Sequence, residues 1–577
     1  MPRVRDGARV GISVLLSAYA AALACGGDPS GPADDNDHPD QTDDRVVTSV
    51  TVSPDTALLT ALGATQPFTA EIRDQNDEIM TNKNPHWSAS GTAVTINLSG
   101  TATAIVVGTA TITASVDGVE DSASVTVIQV PASLGVSSQP GDTPTDVPLT
   151  PLAASLLDAG GNLIPHAPDT VTVALNGPGN LSGTLAVALV DGTATFSDLT
   201  IDSSSAGVTL VFTAAPSGIS ETTEEFDVLL RFSSVSVGTW TACGVTTKHV
   251  GYCWGEGDLG VRGCGNTEDA PAPQQIAGAI AFAQIDVGTY HACGLDVSGI
   301  AHCWGANNGG QLGNGTYDDS WTPVAVNGDR AYRNISVDGQ VTCAVTPADE
   351  VFCWGGGMQL GAGPTVQFAN EPVPVFGDIP FATVDLGSDH TCGVATTAVA
   401  YCWGSGADGR LGNGIVAPSD VPVPVSGDYT FATVSAGMFH TCGLLTTGAA
   451  MCWGNNDRGA VGDGTTDQRN TPVPVAGGHV FTAVTAGDDF TCGMTSGSGT
   501  YCWGRDLEEL GELWSFSTTP VAIPAADHLV QLAIGQYACG LDDVGAAWCW
   551  GSGNFEGQIG DGTWNPAPAP TRVAPPR

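Results

Sequence analysis

The chain has 577 residues, too many for one hydrophobic core, so several domains are expected. Its 17 Lys and Arg stand against 60 Asp and Glu, a formal net charge of −43, and such a surface excludes nucleic acid and anionic lipid as partners. Only 13% of the residues are charged while Gly numbers 76 and Pro 36, a composition of strands and turns with little helix.

At the N-terminus, Arg3, Arg5 and Arg9 precede a short apolar run from Gly11 to Ala24, too short to span a membrane. The run closes on Ala22-Leu23-Ala24-Cys25-Gly26. This phrase resembles a bacterial lipoprotein signal, which implies removal of residues 1–24, lipidation of Cys25, and contact with the membrane through that lipid alone. Cleavage of the ordinary kind after Ala24 is the alternative and would leave a secreted protein. Residues 25–45 form an acidic tether with Asp28, Asp34, Asp35, Asp37, Asp40, Asp43 and Asp44 and no Phe, Trp or Tyr, so it is expected to be a disordered spacer.

Residues 46–130 read as a first β domain. Thr48-Ser49-Val50-Thr51-Val52 alternates, as do Phe68–Ile72 and Thr109–Val116, the last ending at an Asp117-Gly118 hairpin turn. Trp87 is the single tryptophan of this stretch and is expected in a sandwich core. The phrases Val50-Thr51-Val52-Ser53-Pro54 and Val107-Gly108-Thr109-Ala110-Thr111-Ile112-Thr113 resemble the bacterial immunoglobulin-like group 2 domain, which implies a spacer or stalk. Residues 131–230 repeat the texture, with a hairpin expected around Asp191-Gly192 between Val187 and Phe196. Gly192-Thr193-Ala194-Thr195-Phe196-Ser197-Asp198-Leu199 resembles invasin-type immunoglobulin-like repeats.

Residues 231–577 write one phrase seven times: a cysteine, nine residues, then Cys-Trp-Gly. The pairs are Cys243 with Cys253, Cys293 with Cys303, Cys343 with Cys353, Cys392 with Cys402, Cys442 with Cys452, Cys492 with Cys502, and Cys539 with Cys549. Each unit reads as four short strands, and a period near 50 residues marks a radial repeat. The fold class is therefore all-β: two immunoglobulin-like sandwiches followed by a seven-bladed β-propeller. Trp-Gly with loops such as Gln311-Leu312-Gly313-Asn314-Gly315, and His390-Thr391-Cys392, resemble the regulator of chromosome condensation repeat. In that family the eukaryotic members exchange guanine nucleotide on a small GTPase and bind chromatin.

Cysteines ten apart across a tight turn can oppose one another on neighbouring strands, so seven disulfides within blades are expected in an exported chain. Nine intervening residues do not suit a zinc site. The tryptophan after each second cysteine points to the other sheet face and is expected between blades. His291, His390 and His440 share one repeat position where other units carry Thr241, Val341, Phe490 and Tyr537. That mixture predicts packing with a hydrogen bond to backbone, not a metal ligand. Cys264 replaces Asn314 in the first unit's loop and is expected as an exposed free thiol, or else in an intermolecular disulfide. Trp240 and Trp548 lie beside cysteines and are expected to be packed. Trp321, Trp514 and Trp564 fall in loops of units two, six and seven and are the candidate ligand-binding residues. The last strand, 571–574, is expected to pair into the blade of Cys243 and Cys253 and so close the ring.

No cofactor, metal site or catalytic constellation is read from the sequence. The function expected is an envelope-anchored, non-catalytic propeller that recognises a protein or glycan. Two alternatives stay open: an enzyme inhibitor of the kind that similar bacterial propellers direct at β-lactamase, and, by family analogy, nucleotide exchange.

Overall fold

The computed structural model describes residues 44–497, 499–505, 516–551 and 553–576. The signal, Cys25, most of the tether and Trp514 lie outside the described residues. No helix among those described is long and apolar enough to cross a membrane.

The N-terminal domain pairs Val47–Ser53 with Thr69–Asp74 and builds a four-stranded sheet in the order Thr56–Leu59, Val119–Val127, Gly108–Val116, His86–Ser90. Asp117 and Gly118 both have positive φ, 50° and 88°, so the expected hairpin turn forms with type I′ geometry. Trp87 is buried, and its ring covers Gly100, where an added Cβ would lie 2.8 Å from the indole.

The second domain packs a three-stranded sheet (Pro131–Val136, Leu152–Asp158, Thr193–Phe196) on a larger one built around Thr170–Asn176 and Ser205–Ala215. Leu156, Val171, Phe196, Leu210 and Phe212 fill the space between them. The Asp191-Gly192 turn forms, closed by a bridge from Val190 to Thr193. Its flanks do not continue as one hairpin, because Ala186–Ala188 joins the larger sheet and Thr193–Phe196 the smaller. The turn marks a crossing between layers.

Seven four-stranded antiparallel sheets follow, each contiguous in sequence. Blade one runs through Phe232–Val237, Thr241–Thr246, Gly251–Gly255 and Ala270–Gln275. Blade seven runs through Leu529–Ile534, Ala538–Asp542, Ala547–Gly551 and Ala567–Arg572. First strands line the axis; fourth strands form the outer edge, where prolines such as Pro422 and Pro424 remove donors that would invite a further strand.

In every blade the paired cysteines stand directly opposite on the second and third strands and are bonded. Cys243 is linked to Cys253, Cys293 to Cys303, Cys343 to Cys353 and Cys392 to Cys402. Cys442 is linked to Cys452, Cys492 to Cys502 and Cys539 to Cys549. The Cα atoms of each pair lie 4.0–4.1 Å apart. The register then slips between cysteine and glycine, so the tryptophan occupies a bulge facing the preceding blade. All seven repeat indoles are fully buried.

The ring closes differently from the sequence expectation. Thr571 pairs with Cys549 of its own blade, not with the blade of Cys243 and Cys253. Each unit already carries four strands, so none is left to exchange. Blades one and seven meet as any other neighbours do. Phe232 N–H donates to Gly545 O at 2.7 Å, as Phe282 does to His249 O at 2.8 Å one blade on.

Candidate binding face

The first strand of each blade has a free edge toward the axis, and its N–H groups need acceptors. A serine or aspartate of the preceding blade supplies them. Ser236 Oγ accepts from Val287 N–H, Asp286 Oδ2 from Val337, Ser336 Oγ from Leu386, Asp385 Oδ2 from Ala436 and Ser435 Oγ from Ala486, at 2.8–3.2 Å. These side chains line a central channel with a volume of about 280 Å³. Burial in this narrow space pushes the Asp286 carboxyl up to about 6 and that of Asp385 to about 7.

At one end of the channel the first strands converge on glycines: Gly238, Gly288, Gly387, Gly437, Gly487 and Gly535. A Cβ on Gly487 would sit 2.7 Å from Gly535 O, and one on Gly288 2.8 Å from the Cα of Asp338. Close approach of neighbouring backbones explains why most first strands end in glycine. Blade three has Asp338 instead, with Thr289 Oγ1 and Ser388 Oγ each donating to its carboxylate at 3.1 Å.

Beyond this ring lies a hollow of about 690 Å³, walled by the turns between first and second strands and by loops between third and fourth. Trp240, Tyr290, Met358, Asp389, Met438 and Asp488 line it. Trp240 is 37% exposed, Tyr290 42% and Met358 39%. A second hollow of about 390 Å³ adjoins it and brings in Phe439, Asp489 and Arg505. Burial first, and then the neighbouring charge of Asp338, pushes the Asp488 carboxyl up to about 6. Arg410 is buried, held by Ala407 O, Met438 O and Asp408. It lies 3.8 Å from Asp389, whose side chain remains 66% exposed.

The second sandwich meets the opposite face. Its strand Phe226–Leu229 leads through Leu230 and Arg231 straight into Phe232–Val237, and Leu230 is buried with Phe232 and Trp254. Lys248, in a turn between second and third strands, pairs with Asp146 at 2.9 Å and donates to Asp202 O at 2.8 Å. Arg572 donates to Asp142 O at 3.1 Å. Antiparallel strands put these turns at the end away from Trp240 and Tyr290, so the mouth stays clear of the sandwich.

The description "Regulator of chromosome condensation (RCC1) repeat" matches residues 298–345, 399–444 and 448–494, and a second form of the same description matches 431–460. Residues 298–345 and 399–494 of the propeller thus match regulator of chromosome condensation repeats. "Bacterial Ig-like domain (group 2)" matches residues 46–127. Among solved structures, Prp20p from Saccharomyces cerevisiae superposes with a TM-score of 0.51 at 18% identity, over 60% of this chain and 87% of that one. Yeast RCC1 (Prp20) bound to Kap60 gives 0.50 at 18% identity, over 60% and 85%. At such identity the likeness is one of fold. No curated protein sequence matches the chain.

The three repeat histidines bond to a side chain of the next blade where a backbone partner was expected, and the Gly339 backbone acts on His291 as well. His291, His390 and His440 place Nε2 2.7 Å from Thr342, Thr441 and Thr491 of the next blade. Each threonine hydroxyl donates in turn to a loop carbonyl, of Gln311, Arg410 or Ala460, so Nε2–H is the donor to threonine. Burial drives His291 down to about 3 and His440 to about 4, so both are neutral at pH 7. Cys264 is half-buried, not exposed. Its Sγ donates to Arg262 O at 3.3 Å, and burial pushes the thiol up to about 11, which makes it a poor nucleophile.

Of the candidate tryptophans, Trp321 is 51% exposed on a fourth strand and lies against Gly260, while Trp564 is 49% exposed beside the last blade's glycine loop. Neither lines the mouth. Trp240, expected to be packed, is the exposed one there. Trp548 is half-buried, with Nε1 donating to Asp542 at 3.1 Å and Arg572 stacked 4.9 Å away. A signal for the mouth was present in the column three residues before each first cysteine, which reads Trp240, Tyr290, Gln340, Asp389, Phe439, Asp489 and Gln536. Variation there, between positions under packing constraint, marks a surface free to differ.

Proposed function

We propose that this chain is a non-catalytic binding protein of the cell envelope that offers the mouth face of its propeller to a protein ligand. The observation that carries the reading is the hollow walled by Trp240 and Tyr290 on the face opposite the sandwich. Exposed aromatics in a concave site are the residues that anchor protein interfaces. The sandwich holds the other face, as a stalk would, and Cys25 supplies the anchor at the far end of the tether. The repeat histidines, the residues best suited to proton transfer, are sealed between blades, which favours binding over catalysis. Solved proteins of the same fold bind proteins: Prp20p binds Gsp1p and histones, and yeast RCC1 binds Kap60. Probing protein and glycan arrays with the chain from Gly26 onward tests the proposal. A retained protein whose capture is lost in Trp240→Ala and Tyr290→Ala is expected. Capture that both variants leave intact, or turnover of a substrate by the chain, would contradict it.

A further inference from the structure

Among the described residues, no Lys, Arg or His lines the larger hollow; Arg410, which donates to Met438 O and lies 3.8 Å from Asp389, is buried behind its wall. In the adjoining hollow the one cation among the described residues, Arg505, is bonded to Asp489 at 3.2 Å. Asp338, Asp488 and Asp489 crowd together at the channel end, where burial and then mutual repulsion raise the Asp488 carboxyl to about 6. Trp240 and Tyr290 stand on adjacent turns with their rings exposed. An aromatic wall facing carboxylates attracts a cation twice over, through the ring quadrupole and through Coulomb attraction. The net charge of −43 carried by the whole chain adds a long-range field that draws cationic groups in.

We infer, resting on the reading of the mouth as the binding face, that its partner is a protein segment rich in lysine or arginine, with a cationic side chain seated between Trp240, Tyr290 and Asp488. Charge complementarity selects this occupant over a neutral glycan, which would bring no counter-charge to Asp488.

The test uses the chain from Gly26 onward and three fluorescent probes: nonalysine, a neutral Gly-Ser nonapeptide, and cellohexaose. Nonalysine is expected to bind and the neutral probes are not. Trp240→Ala, Tyr290→Ala and Asp488→Asn should each weaken nonalysine about fivefold. Val297→Ala and Asp378→Asn, both exposed on the opposite face, should leave it unchanged. All five sites are turns or channel positions outside the blade cores, and unchanged melting confirms folding. Equal nonalysine affinity in all variants would mean diffuse attraction to an acidic surface and overturns the inference. Binding of cellohexaose that Trp240→Ala abolishes also overturns it, while leaving the mouth as a binding face. If no probe binds and array capture ignores Trp240→Ala, the inference and the proposed function fail together.

Discussion

The indole Nε1 of Trp254, in the first blade, donates to the main-chain carbonyl of Gln558, in the last, at 3.0 Å. The same bond joins Trp304 to Val261, Trp403 to Gln359, Trp453 to Arg410 and Trp503 to Ala460, each to the loop of the preceding blade, at 2.7–2.9 Å. The seam between chain ends is thus held by the contact used around the ring. Trp254→Phe removes a buried hydrogen bond, orphans a carbonyl, and should cost about 1–3 kcal/mol. Trp304→Phe should cost the same within error in thermal melts. A silent Trp254→Phe beside a costly Trp304→Phe would show that something else closes the ring.

Those indoles rest on glycines. A Cβ on Gly412 would lie 2.6 Å from Trp453 Nε1, and the residue has φ +66°. Gly414, two residues on, has φ +82° but meets nothing nearer than 3.7 Å. Gly414→Ala should therefore cost about 1 kcal/mol, for its backbone alone. Gly412→Ala adds a steric clash in a closed interface and should cost roughly 2–4 kcal/mol. Equal melting temperatures for the two variants would contradict this account of the loop.

The seven disulfides each close a short hairpin. One such link is worth on the order of 2–3 kcal/mol in the chain-entropy model. Replacing Cys343 and Cys353 together by Ala should lower the denaturation midpoint accordingly, measured in guanidinium without reductant. Non-reducing peptide mapping should recover Cys343 linked to Cys353, Cys293 to Cys303, Cys392 to Cys402, Cys442 to Cys452, Cys492 to Cys502, and the like in the first and last blades. A link between blades would count against the register found here.

Asp385 and Glu256 are both pushed up to about 7, chiefly by burial. Unfolded, such carboxyls titrate near 4. The folded state therefore binds protons that the unfolded chain has released. That contribution to stability is complete below about pH 4 and is lost as pH rises through 7. The buried histidines act in the opposite sense, but only once pH falls below about 6.5, where the unfolded imidazoles charge. Between about pH 6.5 and 8.5 the melting temperature should fall as pH rises. Asp385→Asn with Glu256→Gln should flatten that slope. A rising melting temperature over this range would contradict the assignment.

Cys25 is expected to carry the lipid. Labelled fatty acid should enter the wild-type chain, and Cys25→Ala should abolish labelling and release the protein from the membrane fraction. An unlabelled, freely soluble wild type would place the chain among secreted proteins.

Much of the architecture could be read from the sequence because it depends on local, repeated constraints. Cysteine spacing fixes the second and third strands of each blade, and Asp117-Gly118 fixes its turn. What escaped depends on contacts distant in sequence. Trp240 stands three residues from Cys243 and reads as a neighbour of the core, yet the turn between first and second strands carries it to the mouth. Thr342, Thr441 and Thr491 look like ordinary strand residues until the preceding blade's histidine is set beside them. Asp286 and Asp385 give no sign of acting as acceptors between blades, because their donors lie about 50 residues away. The Asp191-Gly192 signal foretold a turn but not that its two flanks enter different sheets.

The central claim is that the mouth face, turned away from the sandwich, is where a partner docks. Hydrogen–deuterium exchange on the complex with an array-captured protein tests it most directly. The account predicts slowed exchange in the turns around Trp240, Tyr290 and Asp389, with the turns around Lys248 and Val297 unchanged. Protection confined to the Lys248 and Val297 side, or to the outer strands around Trp321, would contradict it.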